Sequence, residues 1–207
     1  FIMLSELTIK EFLEKIGSDS PTPGGGSVAA LSAALAASLT EMVANLTIGK
    51  KGYDDVEDEM KEIVQDALRL KSDLVTAIDN DSKAYNDVMI AIKLPGNSDT
   101  EKRHREEKIQ RGLKHATLVP LTVAHCAIRV MELAGKSVTK GNKNAITDGI
   151  VAIMMAKTAV LSALYNTKIN LSSIKDKAFI GKISKQVKDL ETNALSREKE
   201  LLSNVDL

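Results

Sequence analysis

The segment from Asp54 to Leu94 constrains the fold more than any other part of the chain. An apolar residue recurs there at every third or fourth position, which is the spacing of one face of an α-helix. The pattern predicts one long helix that begins near Asp54 or Asp55 and ends at Leu94, because Pro95 and Gly96 do not continue a helix. Its apolar stripe comprises Val56, Met60, Ile63, Ala67, Leu70, Leu74, Ile78, Tyr85, Val88 and Ile92.

A single charged residue interrupts this stripe. Asp81 lies where the spacing requires an apolar side chain, so its carboxylate is expected to face the core. A buried carboxylate needs a cation, a hydrogen-bond donor or a cationic ligand, and burial raises its pKa. Two interpretations remain open: a structural ion pair with a lysine of a neighbouring helix, or a functional carboxylate that shares its helix face with Tyr85.

The rest of the chain is also typical of helices. Thr8 and Glu11 have capping-box spacing at the start of a short helix that Gly17 ends. Further helices are predicted over residues 27–47, 100–139, 147–165 and 180–194, with a kink at Pro120 and a loop in GKSVTKGNKN. These elements predict an all-α fold, an antiparallel helical bundle of about five to six helices that forms one domain over residues 1–207.

The composition limits the classes of function. The chain has 28 Lys and Arg against 28 Asp and Glu, a balance that favours neither nucleic acid nor an anionic membrane as a partner. Cys126 is the only cysteine and no signal-peptide pattern is present, so we expect a reducing cytoplasm. The most apolar run, residues 27–46, carries Glu41 and is predicted to be a packed helix rather than a transmembrane span. The spacing of His104, His115 and His125 predicts no metal site.

The segment PTPGGGS, residues 21–27, is the first candidate binding element. Three glycines let the backbone approach a ligand closely, and a helix that begins after them presents free N–H groups to a carboxylate or phosphate. The alternative is a flexible connector that ends in a Ser27 N-cap.

The segment GNKNAITDGIVA, residues 141–152, is the second candidate. Thr147 or Asp148 is expected to cap the fifth helix. The functional alternative is that Asn142, Asn144 and Asp148 line a polar pocket at the start of that helix.

Four segments together resemble the cyclodeaminase domain of the formiminotransferase-cyclodeaminase family: SPTPGGGSVAALSAALAASLTEMVANLTIGKKGY, DNDSKAYNDVMIAIKLP, IQRGLKHATLVPL and NAITDGIVAIMMAKTAVLSALYNTKINLSSIKD. They occur in order from about residue 5 to residue 180. The resemblance implies an all-helical homodimer or larger homo-oligomer, a tetrahydrofolate substrate, a role in histidine degradation, and no metal or cofactor beyond the folate.

The resemblance implies an enzyme that converts 5-formiminotetrahydrofolate to 5,10-methenyltetrahydrofolate and ammonia. The alternatives are a methenyltetrahydrofolate cyclohydrolase, a non-catalytic folate-binding protein, and a purely structural helical domain. Both reactions pass through a cationic one-carbon centre, which a carboxylate in a dry pocket stabilises.

The same resemblance suggests roles for individual residues. Asp81 is expected to stabilise the cationic centre and to carry the proton, with Tyr85 orienting it or the substrate and Asp148 as a further catalytic candidate. Asp79, which points to the other side of its helix, or Asp148 is the candidate for the pterin edge. A glutamate tail is expected on the helix start and on nearby lysines: Gly24, Gly25, Gly26, Ser27, Lys50, Lys51 and Lys114, with Asn142 and Asn144 as further substrate-binding candidates.

Overall fold

The computed structural model describes residues 3–203 and 205. All regular structure in these residues is helical, which confirms the predicted all-α fold. Three single-turn 3-10 helices accompany the α-helices, at Leu4–Glu6, Asp54–Val56 and Lys143–Ala145. The α-helices of the described residues are α1 (Ile9–Ile16), α2 (Gly25–Asn45), α3 (Glu57–Ile92), α4 (Asp99–Lys140), α5 (Ile146–Leu171) and α6 (Lys177–Ser203).

Local signals in the sequence place several helix ends correctly. The capping box of α1 is present: the Glu11 N–H donates to Thr8 Oγ1 over 3.3 Å, and the Thr8 N–H donates to the Glu11 carboxylate over 2.8 Å. The long helix predicted from the apolar stripe is α3, preceded by the 3-10 turn Asp54–Val56. Both results depend on interactions between residues that are close in sequence.

Three local predictions were wrong. Residues 135–139 were assigned both to the helix 100–139 and to the loop GKSVTKGNKN; the loop assignment is wrong, because Gly135, Ser137 and Val138 are buried and packing stabilises α4 there. Helix α2 begins two residues before Ser27, and Gly24 occupies its N-cap position without a side-chain cap. Neither Thr147 nor Asp148 caps α5, which begins at Ile146 after a 3-10 turn.

Helices α2 to α5 form a four-helix bundle in which each helix contacts the next. Helix α6 packs against α4 and α5, and Phe12 of α1 inserts into the core. Helices α2 and α5 are antiparallel: Ser32 Oγ donates to the Met155 carbonyl over 3.2 Å, whereas Gly25 lies beside Asn166 nearer the other end of α5. Fully buried alanines fill the centre of the bundle, and their small side chains let the helices approach closely: Ala30, Ala33, Ala36, Ala37, Ala152, Ala156, Ala159 and Ala163.

The apolar stripe of α3 is only partly a core stripe. Met60 to Ile78 include stripe residues with at most 3% exposure, but Tyr85 is 38% exposed and Ile92 is 46% exposed. The expectation that these last two face the core was wrong. Helix α2 begins beside Asp81, so it covers α3 only up to that residue. The carboxylate therefore lies where the core ends.

Three helical segments are long and apolar enough to cross a membrane, judged by length and composition alone: Gly25–Asn45, Asp99–Lys140 and Lys143–Leu171. In this fold, 56%, 50% and 39% of their respective apolar windows are buried within the bundle. The packing expected for residues 27–46 is present on the alanine side of α2. The absence of a membrane partner stays a prediction.

The close packing of α2 gives a first testable prediction. The substitution Ala33→Leu adds methylene groups where none fit, so the free energy of unfolding should fall by about 1–3 kcal/mol. Chemical denaturation followed by circular dichroism measures this change. The control Ala178→Leu, on an exposed position of α6, should change it by less than about 0.5 kcal/mol. Equal effects of the two substitutions would contradict the close packing.

Candidate active site

A pocket of about 270 Å³ lies at the end of the bundle where α2 begins. Helices α3, α4 and α5 supply its other walls. Its size is near the lower limit for ligand pockets, so it holds part of a larger ligand rather than enclosing it. The lining residues are Pro21, Thr22, Gly24, Gly25, Gly26, Asp81, Tyr85, Val88, Leu113, Ala116, Asn166 and Asn170.

The glycines of the α2 start are required by the close approach of other side chains. A Cβ atom on Gly26 would overlap the Asp81 carboxylate, which lies directly against the first turn of α2. A Cβ atom on Gly25 would lie 3.2 Å from Asn166 Nδ2. The absence of side chains at these two positions therefore allows α3 and α5 to bring polar groups to the helix start.

Ser27 joins the first turn of α2 to α3. Its buried hydroxyl lies 2.9 Å from the Ile78 carbonyl oxygen, 3.2 Å from Asp81 Oδ2 and 3.3 Å from Ser82 Oγ. Burial raises the pKa of Asp81 above its ordinary value, and hydrogen bonds from the Ser27 hydroxyl and backbone N–H oppose this increase. Asp81 is thus a carboxylate whose proton affinity is raised, held in place by the start of a neighbouring helix.

The structural ion pair, one of the two interpretations of Asp81, is absent from the described residues. Its pKa is set by burial and by Ser27, with no contribution from a Lys or Arg. The described lining of the pocket likewise contains no Lys or Arg. Of the two interpretations left open by the sequence, the geometry favours a carboxylate available to a ligand.

The structure brings five of the predicted site residues to this pocket as lining residues: Gly24, Gly25, Gly26, Asp81 and Tyr85. Ser27 lies directly behind them and hydrogen bonds to Asp81 rather than to the pocket space. Tyr85 is one helical turn beyond Asp81 and is 38% exposed at the mouth.

Two other predicted residues lie close to the pocket in sequence but interact elsewhere. Asp79 points away from Asp81, as expected, and its Oδ1 accepts a hydrogen bond of 2.5 Å from the Leu4 N–H. Lys114 forms an ion pair of 2.7 Å with Asp176. The structure therefore provides no support for Asp79 at the pterin edge or for Lys114 in this pocket.

The remaining predicted residues lie at the opposite end of the α2/α5 pair: Lys50, Lys51, Asn142, Asn144 and Asp148. Lys50 Nζ donates to Asn142 Oδ1 over 2.6 Å, and Asn142 Nδ2 donates to the Leu46 carbonyl over 3.0 Å. A helix of 21 residues is about 30 Å long. The expectation that Lys50 or Lys51 assists Gly24–Ser27 is therefore wrong for residues of the same chain.

Asn166 and Asn170 are pocket residues that the sequence analysis missed. Their amide nitrogens donate to the Ser162 and Ala116 carbonyls over 2.9 Å and 2.8 Å, which leaves each Oδ1 as an acceptor. Two asparagines four residues apart in an apolar helix are a usable signal, because Asn is a poor helix former and this spacing places both on one face.

The described residues contain no group of three His, Cys, Asp or Glu side chains that could hold a metal ion. The described lining of the pocket supplies a carboxylate, a phenol, a hydroxyl from Thr22, two amides and the N-terminus of a helix.

The raised pKa of Asp81 gives a prediction for stability. Because the pKa is higher in the folded state, ionisation of Asp81 lowers stability as the pH rises above the unfolded-state value of about 3.9. The substitution Asp81→Asn should therefore raise the melting temperature at pH 7, and the difference should shrink towards pH 4. Differential scanning fluorimetry across this pH range measures it. A lower melting temperature of Asp81→Asn at pH 7 would indicate a structural carboxylate.

Known proteins resemble this chain in both sequence and fold. The sequence model of the family described as Formiminotransferase-cyclodeaminase matches residues 8–189. The chain is 41% identical to the methenyltetrahydrofolate cyclohydrolase of Methylorubrum extorquens, over 93% of this chain and 92% of that protein. It is 30% identical to the formimidoyltransferase-cyclodeaminase of Rattus norvegicus over 98% of its length, but spans only 38% of the rat protein.

A solved structure agrees with these matches. The crystal structure of formiminotetrahydrofolate cyclodeaminase from Thermotoga maritima superposes with a TM-score of 0.86 at 31% sequence identity, covering 96% of this chain and 95% of that one. The names of these relatives agree with the family that the four sequence segments resemble. The chain belongs to the formiminotransferase-cyclodeaminase family.

Proposed function

We propose that the pocket at Asp81 binds a one-carbon derivative of tetrahydrofolate and that the chain acts as a formimidoyltetrahydrofolate cyclodeaminase. The observation that carries this proposal is the Asp81 carboxylate itself, which is held against Gly26 and Ser27 with a raised pKa and without a cationic partner. The Thermotoga maritima cyclodeaminase, which matches nearly the whole chain, supports the choice of reaction.

In the proposed reaction, N10 of 5-formiminotetrahydrofolate attacks the formimino carbon and a tetrahedral intermediate forms. Asp81 accepts the N10 proton and delivers it to the departing nitrogen. With one further proton from solvent, the C–N bond to that nitrogen breaks, ammonia leaves and the 5,10-methenyl cation forms. A carboxylate with a raised pKa suits both directions of this proton transfer, and its charge stabilises the cation.

The other pocket residues have proposed positioning roles. Tyr85, on the same face of α3, orients the substrate at the mouth. The free Oδ1 atoms of Asn166 and Asn170 accept hydrogen bonds from the amino group and ring N–H of the pterin, the role that the sequence analysis gave to Asp79 or Asp148. This arrangement leaves the glutamate end of the folate outside the pocket.

Methenyltetrahydrofolate cyclohydrolase activity is the second candidate. The 41% identity with the Methylorubrum extorquens cyclohydrolase, over nearly the full length of both chains, favours it. That reaction adds water to the methenyl carbon and gives 10-formyltetrahydrofolate. The same carboxylate takes the proton from water in place of N10.

A paired assay tests the proposed function and separates the two candidates. One sample contains 5-formiminotetrahydrofolate and the other 5,10-methenyltetrahydrofolate, and methenyl absorbance and free ammonia are followed in both. Methenyl formation with matched ammonia identifies a cyclodeaminase, whereas faster methenyl loss in the second sample alone identifies a cyclohydrolase. Folate binding without turnover in either sample would leave a non-catalytic binding protein.

The substitution Asp81→Asn should lower kcat by at least about 100-fold in the active assay, because it removes the proton acceptor and the negative charge. The helical circular dichroism spectrum should not change. Asp73→Asn, on an exposed position of the same helix, is the matched control and should retain full activity. Full activity of Asp81→Asn would exclude this carboxylate from the reaction.

The proposed enzyme is a cytoplasmic homodimer. Helix α2 is largely apolar, and the side opposite its buried alanines exposes Val28, Leu35 and Met42, with the exposed Leu46 directly after the helix end. Helix α5, packed beside it, exposes Val151, Met154, Tyr165 and Ile169. We name these eight residues the α2/α5 face.

The single Cys126 is free, which supports a reducing compartment.

The α2/α5 face has the properties of a surface that packs against a copy of itself. The eight side chains that define it are uncharged, so a two-fold axis brings these groups together without repulsion. Two helices side by side, each about 10 Å in diameter and about 30 Å long, present an area comparable to the ~800 Å² per partner of a standard interface. The lack of basic residues on the face makes an anionic membrane a poorer partner.

The substitution Leu35→Glu should convert the homodimer to a monomer, since it places a charge near the middle of the α2/α5 face. Sedimentation velocity measures the mass. Leu195→Glu, on α6 and outside this face with 50% exposure, is the control and should leave the dimer intact. A monomeric wild type, or a dimer that only Leu195→Glu disrupts, would exclude this face as the interface.

A further inference from the structure

The Asp81 pocket lacks the charges that a folate requires at its glutamate end. This reasoning rests on the proposed function. Asp81 is the only charged residue in the described lining, whereas the glutamate of a folate carries carboxylates that need cations. Two nearby lysines of the same chain are engaged in ion pairs: Lys114 pairs with Asp176 at 2.7 Å, and Lys168 pairs with Glu191 at 2.9 Å.

Cations without carboxylate partners lie at the other end of the α2/α5 pair. We name Lys50, Lys51, Asn142 and Lys143 the Lys50–Asn142 cluster. No lysine of this cluster forms an ion pair with another described residue. Asn142 is 7% exposed, and its Oδ1 accepts the Lys50 hydrogen bond of 2.6 Å. The Lys50 charge is therefore held in a defined position by a neutral partner.

The loop that carries Lys50 is fixed by several further hydrogen bonds. The Asn142 N–H donates to Thr47 Oγ1 over 2.9 Å, and the Lys143 N–H donates to the Tyr53 hydroxyl over 3.1 Å. Gly49 and Gly52 have φ angles of 69° and 87°, a backbone region that glycine adopts readily. The cluster is thus a built structure at the end of the α2/α5 face and not a set of independent surface lysines.

The α2/α5 face joins the pocket to this cluster. The pocket lies at the start of α2, the cluster follows the end of α2, and the exposed apolar residues run between them. Within one chain the two are about 30 Å apart, the length of α2, so one folate cannot contact both. A second copy of the chain that packs on this face can bring its own Lys50–Asn142 cluster closer to the pocket of the first.

We propose that the homodimer has a two-fold axis perpendicular to α2, crossing it near Leu35, and that each active site is composed of residues from both subunits. This axis packs α2 antiparallel against the same helix of the partner. The pocket at Asp81 then faces Lys50 of the partner subunit and Lys51 of the partner subunit, which bind the carboxylates of the substrate. An axis parallel to α2 would instead place the two pockets side by side and supply no cation, so the charges favour the perpendicular axis.

Mixing two impaired variants tests the composite site, with activity measured at a substrate concentration well below the wild-type KM, where Lys50→Ala should keep at most about a tenth of the wild-type rate. The variants Asp81→Asn and Lys50→Ala are coexpressed with different affinity tags, and the heterodimer is isolated by two successive affinity steps. If the active site is composite, one of the two active sites of the heterodimer contains only wild-type residues. The heterodimer should then show about half of the wild-type activity. In a site built within one chain, both sites carry a mutation and activity should stay at the level of the single variants.

Two further results would contradict the composite site. Lys50→Ala alone is expected to raise KM by about 10-fold or more, as loss of a charged contact does, with a smaller effect on kcat; an unchanged KM would overturn the assignment. Lys188→Ala, an exposed lysine of α6, is the matched control. Wild-type protein that binds no folate would overturn the proposed function and the carboxylate-binding role together.

A disulfide experiment tests the dimer geometry without any folate. The double variant Val28→Cys/Met42→Cys, made in a Cys126→Ser background, should form a covalent dimer on oxidation, because antiparallel α2 helices that cross near Leu35 bring Val28 close to Met42 of the partner subunit. The two residues are 14 positions apart in one helix, about 21 Å, so they cannot link within a chain. Each single cysteine is the control. Failure of the double variant to cross-link would overturn the perpendicular axis, even in a folate-active enzyme.

Discussion

The contact between the Asp81 carboxylate and the first turn of α2 organises the functional end of this protein. Gly26 leaves room for the carboxylate, and Ser27 holds it through its hydroxyl and backbone N–H. The same contact marks the point where the core of α3 ends and the pocket begins. A larger residue at Gly26 would separate α2 from α3 and remove the pocket wall, so the fold and the site depend on the same few atoms.

Small side chains allow this arrangement along the whole length of α2. Its buried alanines let α2 lie close to α3, α4 and α5, so that a narrow helix forms the centre of the bundle. Close packing fixes the start of α2 relative to Asp81 and Asn166. It also leaves the larger residues of α2 on the outside, where they form the α2/α5 face with the exposed residues of α5. On α2, small side chains are buried and larger apolar side chains are exposed. This one pattern therefore produces both the core and the proposed interface.

The candidate chemistry follows from an imbalance of charge. A carboxylate that is partly buried without a cation is unfavourable for the folded chain alone, and becomes favourable when a cationic centre is bound. The methenyl cation of the proposed reaction provides such a centre. The lysines at the far end of α2 lack an anionic partner, since Lys50 hydrogen bonds to a neutral amide. A folate that spans two subunits places its cationic centre beside the Asp81 carboxylate and its own carboxylates beside these lysines.

The elements that depend on interactions between residues close in sequence could be predicted from the sequence. The three-and-four spacing over α3 and the capping box of α1 both predicted structure that is present. The one charge on an apolar stripe identified Asp81, because helix periodicity alone reveals which residue departs from it. The four sequence segments also indicated the family.

The tertiary structure was needed to show which of the candidate residues lie in one site. It placed Asn166 and Asn170 beside Gly25, and it separated Lys50 and Asn142 from Asp81 by the length of a helix. It also showed that residues 135–139, assigned to both a helix and a loop, are helical, because their burial stabilises the helix. Sequence spacing specifies neighbours on one helix, whereas the contacts between helices depend on how all the side chains pack at once. That packing made the Asp81 pocket and left the α2/α5 face exposed.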